Sequence, residues 1–274
     1  MVKQNRLNFI AEHKSIQSAH LKRNVLLDIF IPKKIIDNSG SALLLINDGQ
    51  NLKEMGFHGI IDQLAESNQI EPVFYVGIHA GKDRKHEYGT ADVLDYEGRG
   101  SKAKAYNNFI LNELLPYIHI HYGIEEFQKM AIAGFSLGGL SALDIVWHHP
   151  DIFSIAGVFS GSLWWRAKSL EDNYNEETDR IMHQLIRHGK YKPGLRFFFT
   201  TGSLDETADR NNNGIIDSID DTLALIDELV QLGYYKDYDI KYINYDDGKH
   251  DIQTWGRAFP HFLLWSFNLL SKTS

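Results

Sequence analysis

Residues 129–140 read Lys129-Met130-Ala131-Ile132-Ala133-Gly134-Phe135-Ser136-Leu137-Gly138-Gly139-Leu140, and the fold is decided there. Residues 130–134 form a short run without charge, as expected of a strand buried on both faces. Residues 140–148 carry the spacing of a helix. Between them a serine stands in Gly134-Phe135-Ser136-Leu137-Gly138. A turn that passes from strand to helix this abruptly has no room for side chains around the central residue. Glycine on either side of a serine therefore describes an elbow that lifts the hydroxyl clear of the sheet. A bare Gly/Ser turn occurs often by chance, but not with a strand before it and a helix after it. Ser136 is the candidate nucleophile.

Working outward, further strands are expected at 25–31, 42–46, 73–78, 155–159, 196–200 and 238–245, rich in Val, Ile, Phe and Tyr. Helical spacing recurs at 105–118, 222–232 and 258–270. Strands alternating with helices imply right-handed crossovers, hence an α/β fold with a mostly parallel central sheet and helices on both faces. Such sheets bind ligands at the carboxyl ends of their strands. No repeat, low-complexity tract or linker interrupts the 274 residues, so a single domain over 1–274 is expected.

Composition narrows the function classes. With 43% hydrophobic and 23% charged residues the chain is neither disordered nor fibrous. Its formal net charge of −8 and lack of a basic stripe speak against a nucleic-acid partner. The absence of cysteine removes disulfides, thiolate metal sites and cysteine nucleophiles. No apolar stretch approaches the roughly 18 residues of a membrane span, and residues 1–24 are polar without a hydrophobic signal core. The expectation is a cytoplasmic chain with no membrane partner, or a periplasmic or secreted one if a leader was trimmed. Oligomeric state is not legible.

A serine at its ordinary pKa needs a base, and the base needs an acid to hold it. In a strand-elbow architecture both follow the serine, acid first. His148 and His149 end a helix, His183 and His188 fall in a polar helix, and His261 falls in the last amphipathic one. His250 instead follows the last expected strand, in Asp246-Asp247-Gly248-Lys249-His250, and is the candidate base. Past the strand at 196–200 comes Thr201-Gly202-Ser203-Leu204-Asp205-Glu206, where Asp205 is the candidate acid and Glu206 its rival. The oxyanion requires two preorganised N–H donors. Leu137 supplies one at the helix start, and Gln50, in Asn47-Asp48-Gly49-Gln50-Asn51 after an early strand, is the candidate for the other.

With these residues in place, the chain resembles the putative-esterase family of the α/β-hydrolase superfamily. That family includes enterochelin esterases, esterase D, feruloyl esterases and the antigen 85 mycolyltransferases. The matching segments are residues 44–51, 109–116, 134–139 and 248–250. The resemblance implies an α/β-hydrolase fold, the triad Ser136–Asp205–His250, and Gln50 beside Leu137 in the oxyanion hole. Ser160-Gly161-Ser162-Leu163-Trp164-Trp165 looks like the segment flanking the active site of enterochelin esterases, and Arg84-Lys85-His86-Glu87-Tyr88 like a region beside the cleft. Trp164, Trp165 and Arg84 are thus candidate substrate-binding residues, with core packing the competing reading for the two tryptophans. Enterochelin esterases carry an additional N-terminal domain that these 274 residues do not accommodate.

A second pattern lies outside the family's requirements. Residues 209–220 set against the twelve-residue calcium loop put oxygen-bearing side chains at positions 1, 3, 5, 9 and 12 and glycine at 6. The ligands would be Asp209, Asn211, Asn213, the carbonyl of Ile215, Asp217 and Asp220. A structural Ca2+ is expected, and no organic cofactor. The sequence therefore points to a serine carboxylic-ester hydrolase acting through an acyl-enzyme on a small-molecule ester, an acylated carbohydrate or siderophore-type ester. Its rivals are an acyltransferase of the antigen 85 type and a calcium-dependent binding module with an inactive site.

Overall fold

The computed structural model describes residues 8–33 and 41–269. Eight strands form one sheet in the order β1-β2-β4-β3-β5-β6-β7-β8. They are β1 (Phe9–Ser18), β2 (Arg23–Pro32), β3 (Ala42–Asn47), β4 (Val73–Ile78), β5 (Lys129–Phe135), β6 (Ile155–Phe159), β7 (Arg196–Leu204) and β8 (Ile240–Lys249). Strand β2 runs antiparallel to both neighbours, and every other pairing is parallel.

Side-chain alternation explains why the central strands read as continuous apolar runs. Leu43 and Leu45 of β3 enter the core on one face, with Phe74, Val76 and Ile132. Leu44 and Ile46 enter the core on the other, with Tyr75, Ala131 and Ala133. Helices cover both faces. In chain order they are α1 (Leu52–Met55), α2 (Phe57–Glu66), α3 (Arg84–Glu87), α4 (Ala103–Phe109), α5 (Leu115–Tyr122), α6 (Leu137–His148), α7 (Glu176–Asp179), α8 (Ile181–Arg187), α9 (Asp217–Gln231) and α10 (Ile252–Phe267). The helix expected at 105–118 is α4 and α5 joined through a π-helical segment, Ile110–Leu114. Its cause is Pro116 near the start of α5. Proline has no N–H to donate, and its ring crowds the carbonyl four residues back, here in the π segment. The helix expected at 258–270 begins earlier, at Ile252, and residue 270 lies outside the described residues.

Two departures from expectation matter for the site. Strand β1, unexpected in the polar N-terminal stretch, is an edge strand with only its end residues Phe9 and Ser18 buried. Strands β7 and β8 run four residues beyond the expected ends, 200 and 245, through segments expected to be loop. Two glycines allow this. A Cβ on Gly202 would lie 2.4 Å from the carbonyl carbon of Gly248, and one on Gly248 would lie 2.9 Å from the Cα of Gly202. The bare backbones pass close, the register shifts between Gly202 and Leu204, and Leu204 pairs with Lys249. Asp205 and His250 thus emerge side by side.

Candidate active site

The elbow is sterically determined. Ser136 sits at φ 54° and ψ −122°, a strained conformation for a residue with a Cβ, which costs on the order of 1–3 kcal/mol. The glycines allow it. A Cβ on Gly134 would lie 2.2 Å from the Gly138 carbonyl oxygen, and one on Gly138 would lie 2.7 Å from Asp48 Oδ2. The Ser136 N–H donates to the Phe159 carbonyl at 2.8 Å, pinning the turn to β6. Leu137 opens α6, where the first amides have no intrahelical acceptor and point toward the site.

A cleft of about 230 Å³ opens over Ser136, lined by Ser160, Gly161, Ser162, Trp164, Asp205, Glu206, Ser218 and His250. Nucleophile, base and acid candidates therefore meet in one cavity at the carboxyl edge of the sheet. Their mutual bonds are open in this arrangement. Ser136 Oγ lies 3.4 Å from Ser162 Oγ. The His250 ring stands edge-on to Trp255, with centroids 5.2 Å apart, and the Trp255 indole N–H donates to Ser160 Oγ at 3.1 Å. Catalytic contacts of this kind commonly tighten only when substrate binds.

The two carboxyls after β7 have different surroundings. Asp205 Oδ2 accepts from the Gly202 N–H at 3.0 Å and from Ser218 Oγ at 2.9 Å. Its Oδ1 is buried without a partner. Glu206 accepts from the Ser218 backbone N–H at the start of α9, and burial raises its pKa. One carboxylate thus has an oxygen left for an imidazole, while the other caps a helix. Burial lowers the pKa of His250, Asp205 pulls it back up, and Arg84 pushes it down.

The early loop is fastened to the elbow from behind. Asn47 Nδ2 donates to the Gly138 carbonyl at 2.8 Å and Tyr106 Oη donates to Asn47 Oδ1 at 2.6 Å. The Asp48 N–H donates to Tyr88 Oη at 3.0 Å. Gln50 lies in the 3-10 turn Gly49–Asn51, and its side chain is engaged by Asp48 and the Ala80 N–H. Only its backbone remains for an oxyanion.

Trp164 lines the cleft, but Trp165 and Arg84 do not. Trp165 is fully buried, packed against Gly89 and Gly100, with its indole N–H donating to Thr90 Oγ1 at 3.2 Å. Arg84 forms a two-pronged ion pair with Asp48, both contacts at 2.7 Å, and donates to the Phe135 carbonyl at 3.3 Å. These bonds brace the early loop against the elbow.

In the 209–220 loop, Asp209 accepts from the N–H groups of Asn213 and Gly214, and Asp220 from the side-chain amides of Asn211 and Asn213. Gly214 takes a positive φ of 84°. Ile215 is exposed, with its N–H donating to Asn213 Oδ1. Asp217 is drawn off by Arg210, whose N–H and guanidinium both bond to it. Among the described residues no group of three or more His, Cys, Asp or Glu is arranged to hold a metal ion. Likewise, no helix among them is long and apolar enough to cross a membrane. Ser218 is the cleft residue that the sequence reading missed, while Ser160, Gly161 and Ser162 lie in the segment it quoted without singling them out. Nothing local marks Ser218, which meets Asp205 from 13 residues away.

Known proteins share this fold. The enterobactin esterase FES of Shigella flexneri, solved with enterobactin, superposes with a TM-score of 0.69 at 22% identity, over 93% of this chain and 58% of that one. The chain thus spans little more than half of that protein. A ferulic acid esterase superposes with a TM-score of 0.69 at 18% identity, over 95% of this chain and 98% of its own. These likenesses show an α/β-hydrolase-like esterase fold. The iron(III) salmochelin esterase of Escherichia coli O6:H1 is 28% identical over 169 residues, 60% of this chain and 39% of that protein. The family model described as "Putative esterase" matches residues 18–265, and the chain belongs to that family.

Proposed function

We propose that the chain is a serine carboxylic-ester hydrolase that works through an acyl-enzyme, with Ser136 as nucleophile, His250 as base and Asp205 as the acid that orients it. The carrying observation is the single cleft in which all three line the wall. The orphaned Asp205 Oδ1 supports Asp205 over Glu206, since it is the acceptor an imidazole N–H requires.

In this mechanism Ser136 Oγ attacks the ester carbonyl while His250 takes the hydroxyl proton. Backbone N–H groups of Leu137 and Gln50 receive the oxyanion. Collapse breaks the bond to the alcohol oxygen, which takes the proton from His250. Water then attacks the acyl-enzyme, His250 accepting its proton, and the acid leaves as Ser136 is reprotonated. Siderophore-type esters and acylated carbohydrates are the proposed substrates, supported by relatives named for enterobactin, salmochelin and ferulic acid. The test is Ser136→Ala against a panel of 4-nitrophenyl and natural esters, with fluorophosphonate labelling. Loss of both hydrolysis and labelling, with an unchanged melt, is expected. A mutant that keeps most of its activity overturns the reading.

We also propose that residues 209–220 take a structural Ca2+. Support comes from the spacing and from Asp220 closing back on the side-chain amides of Asn211 and Asn213. Engagement of Asp217 with Arg210 leaves Asp209 and Asp220 as its main charged ligands.

A further inference from the structure

Among the described residues, the buried or half-buried arginines have obvious partners, with one exception. Arg23, Arg84, Arg99, Arg180, Arg187 and Arg210 each pair with a carboxylate. Arg196 donates to the carbonyls of Tyr238 and Trp265. Arg166 has neither. Its one side-chain hydrogen bond is a long one, Nη2 to Tyr96 Oη at 3.5 Å, and its Nε is buried without a partner.

Its surroundings are aromatic. The guanidinium lies 4.7 Å from the ring centroid of Tyr96, 5.8 Å from that of Tyr174 and 5.9 Å from that of Trp164. Arg166 Nε is thus a buried donor to which the chain supplies no acceptor, and such a group is costly unless something satisfies it. The neighbouring cation, Arg99, stacks on Trp164 but is neutralised by Asp95 and Glu97. Trp164 meanwhile forms a wall of the Ser136 cleft. A guanidinium without a direct carboxylate partner, linked through Tyr96 Oη to Glu97 Oε1, thus sits just past the cleft's aromatic rim.

We infer that Arg166, framed by the rings of Tyr96 and Trp164, forms a subsite for a carboxylate carried on an extended arm of the ester substrate. This rests on the hydrolase reading of the same cleft. Carboxyls of Asp205 and Glu206 line the cleft and no Arg or Lys does, so a short anionic arm is repelled near Ser136. A longer arm passes Trp164 and meets the guanidinium, whose planar fork suits a carboxylate. The preferred substrates are esters with a carboxylate several bonds from the scissile carbonyl.

The experiment compares kcat/KM for mono-4-nitrophenyl succinate, glutarate and adipate with uncharged 4-nitrophenyl butyrate. In a parallel arm, 4-butyryloxybenzoate puts the carboxylate on the alcohol side. Expected is an advantage of roughly tenfold, the scale of one charge-assisted bond, for a longer hemiester or for the benzoate, whichever side carries the arm. Salt should shrink it. Arg166→Gln should bring the anionic-to-uncharged ratio down to about the level of succinate, and Arg166→Lys should restore part of it. An uncharged ester that matches every anionic one, or a ratio that Arg166→Gln leaves intact, overturns the inference. If no ester is turned over, the hydrolase reading fails separately. Calorimetric titration of adipate into Ser136→Ala protein, with and without Arg166→Gln, then decides: binding lost with Arg166 supports the subsite, and absence of binding overturns it.

Discussion

Replacing Ser218 with alanine removes the hydroxyl that holds Asp205 Oδ2 at 2.9 Å and leaves that oxygen only the Gly202 N–H at 3.0 Å. The backbone N–H of Ser218 still caps Glu206, and alanine is a better helix former than serine at the start of α9, so the fold should not suffer. Hydrogen bonds to charged groups contribute about 1.5–3 kcal/mol. If most of that goes into keeping Oδ1 aimed at the imidazole, kcat/KM should fall by roughly 10- to 100-fold, since about 1.4 kcal/mol is a factor of ten. The loss should fall on kcat, because Ser218 orients the acid and does not grip substrate. Asp205 pulls the pKa of His250 upward, so a carboxylate that swings away should also move the acid limb of the rate profile to lower pH. Ser218→Thr, which keeps the hydroxyl, should recover most of the rate. The assay is 4-nitrophenyl butyrate hydrolysis across pH, with a thermal melt alongside. Ser218→Ala retaining more than half of the wild-type kcat/KM with an unmoved limb would refute the reasoning.

Burial outweighs Asp205 at His250 and depresses its pKa, so the acid limb of kcat/KM should fall below the model histidine value of about 6.5; a limb well above it contradicts the geometry. His183 is buried with Nε2 on the Asp221 carbonyl, and its pKa is held well below 6.5 by burial first and then by Arg180. The unfolded chain therefore binds a proton there that the folded chain refuses, and stability, complete above about 6.5, should fall on acidification by up to ~1.4 kcal/mol per pH unit. Melts of wild type and His183→Gln between about pH 7.5 and 5 check this, the substitution flattening the slope. Calcium at about 100 times its Kd should add ~2.7 kcal/mol to stability, and chelation or Asp209→Ala should remove it. A melt and a calorimetric titration both indifferent to calcium would dispose of the loop as a metal site.

The serine elbow and the sheet were legible because their causes are local. A serine between glycines, entered from an apolar run and left by a helical one, has few other conformations, and the strained φ of Ser136 is what that pattern demands. Strand β1 was not legible, because an edge strand buried only at its ends has no apolar alternation to read. The direction in which a side chain points was not legible either. Trp164 and Trp165 are adjacent and chemically identical, yet one lines the cleft and the other fills the core against Gly89 and Gly100. Arg84 has the chemistry to hold a substrate, and the structure gives it to Asp48.

Gly202 and Gly248 account for most of what the sequence reading missed near the site. Each looks like a loop signal alone, and each expected strand was ended before it. Together they let β7 and β8 continue pairing to Leu204 and Lys249, because neither backbone meets a Cβ at the crossing. Asp205 and His250 are then held by a strand ladder, a stiffer mount than two loops, and only the side-chain torsions remain to be set. Ser218 limits the torsion of Asp205 from α9, and Trp255 limits that of His250 from α10. Both helices begin within 13 residues of the group they restrain, across connections whose geometry no local pattern encodes. The identities of the proposed reacting groups are therefore written locally, while their aim depends on where two helices land against two extended strands. For that reason Ser218→Ala, remote from the elbow in sequence and silent in any motif, is a sharper probe of this site than another substitution in the elbow itself.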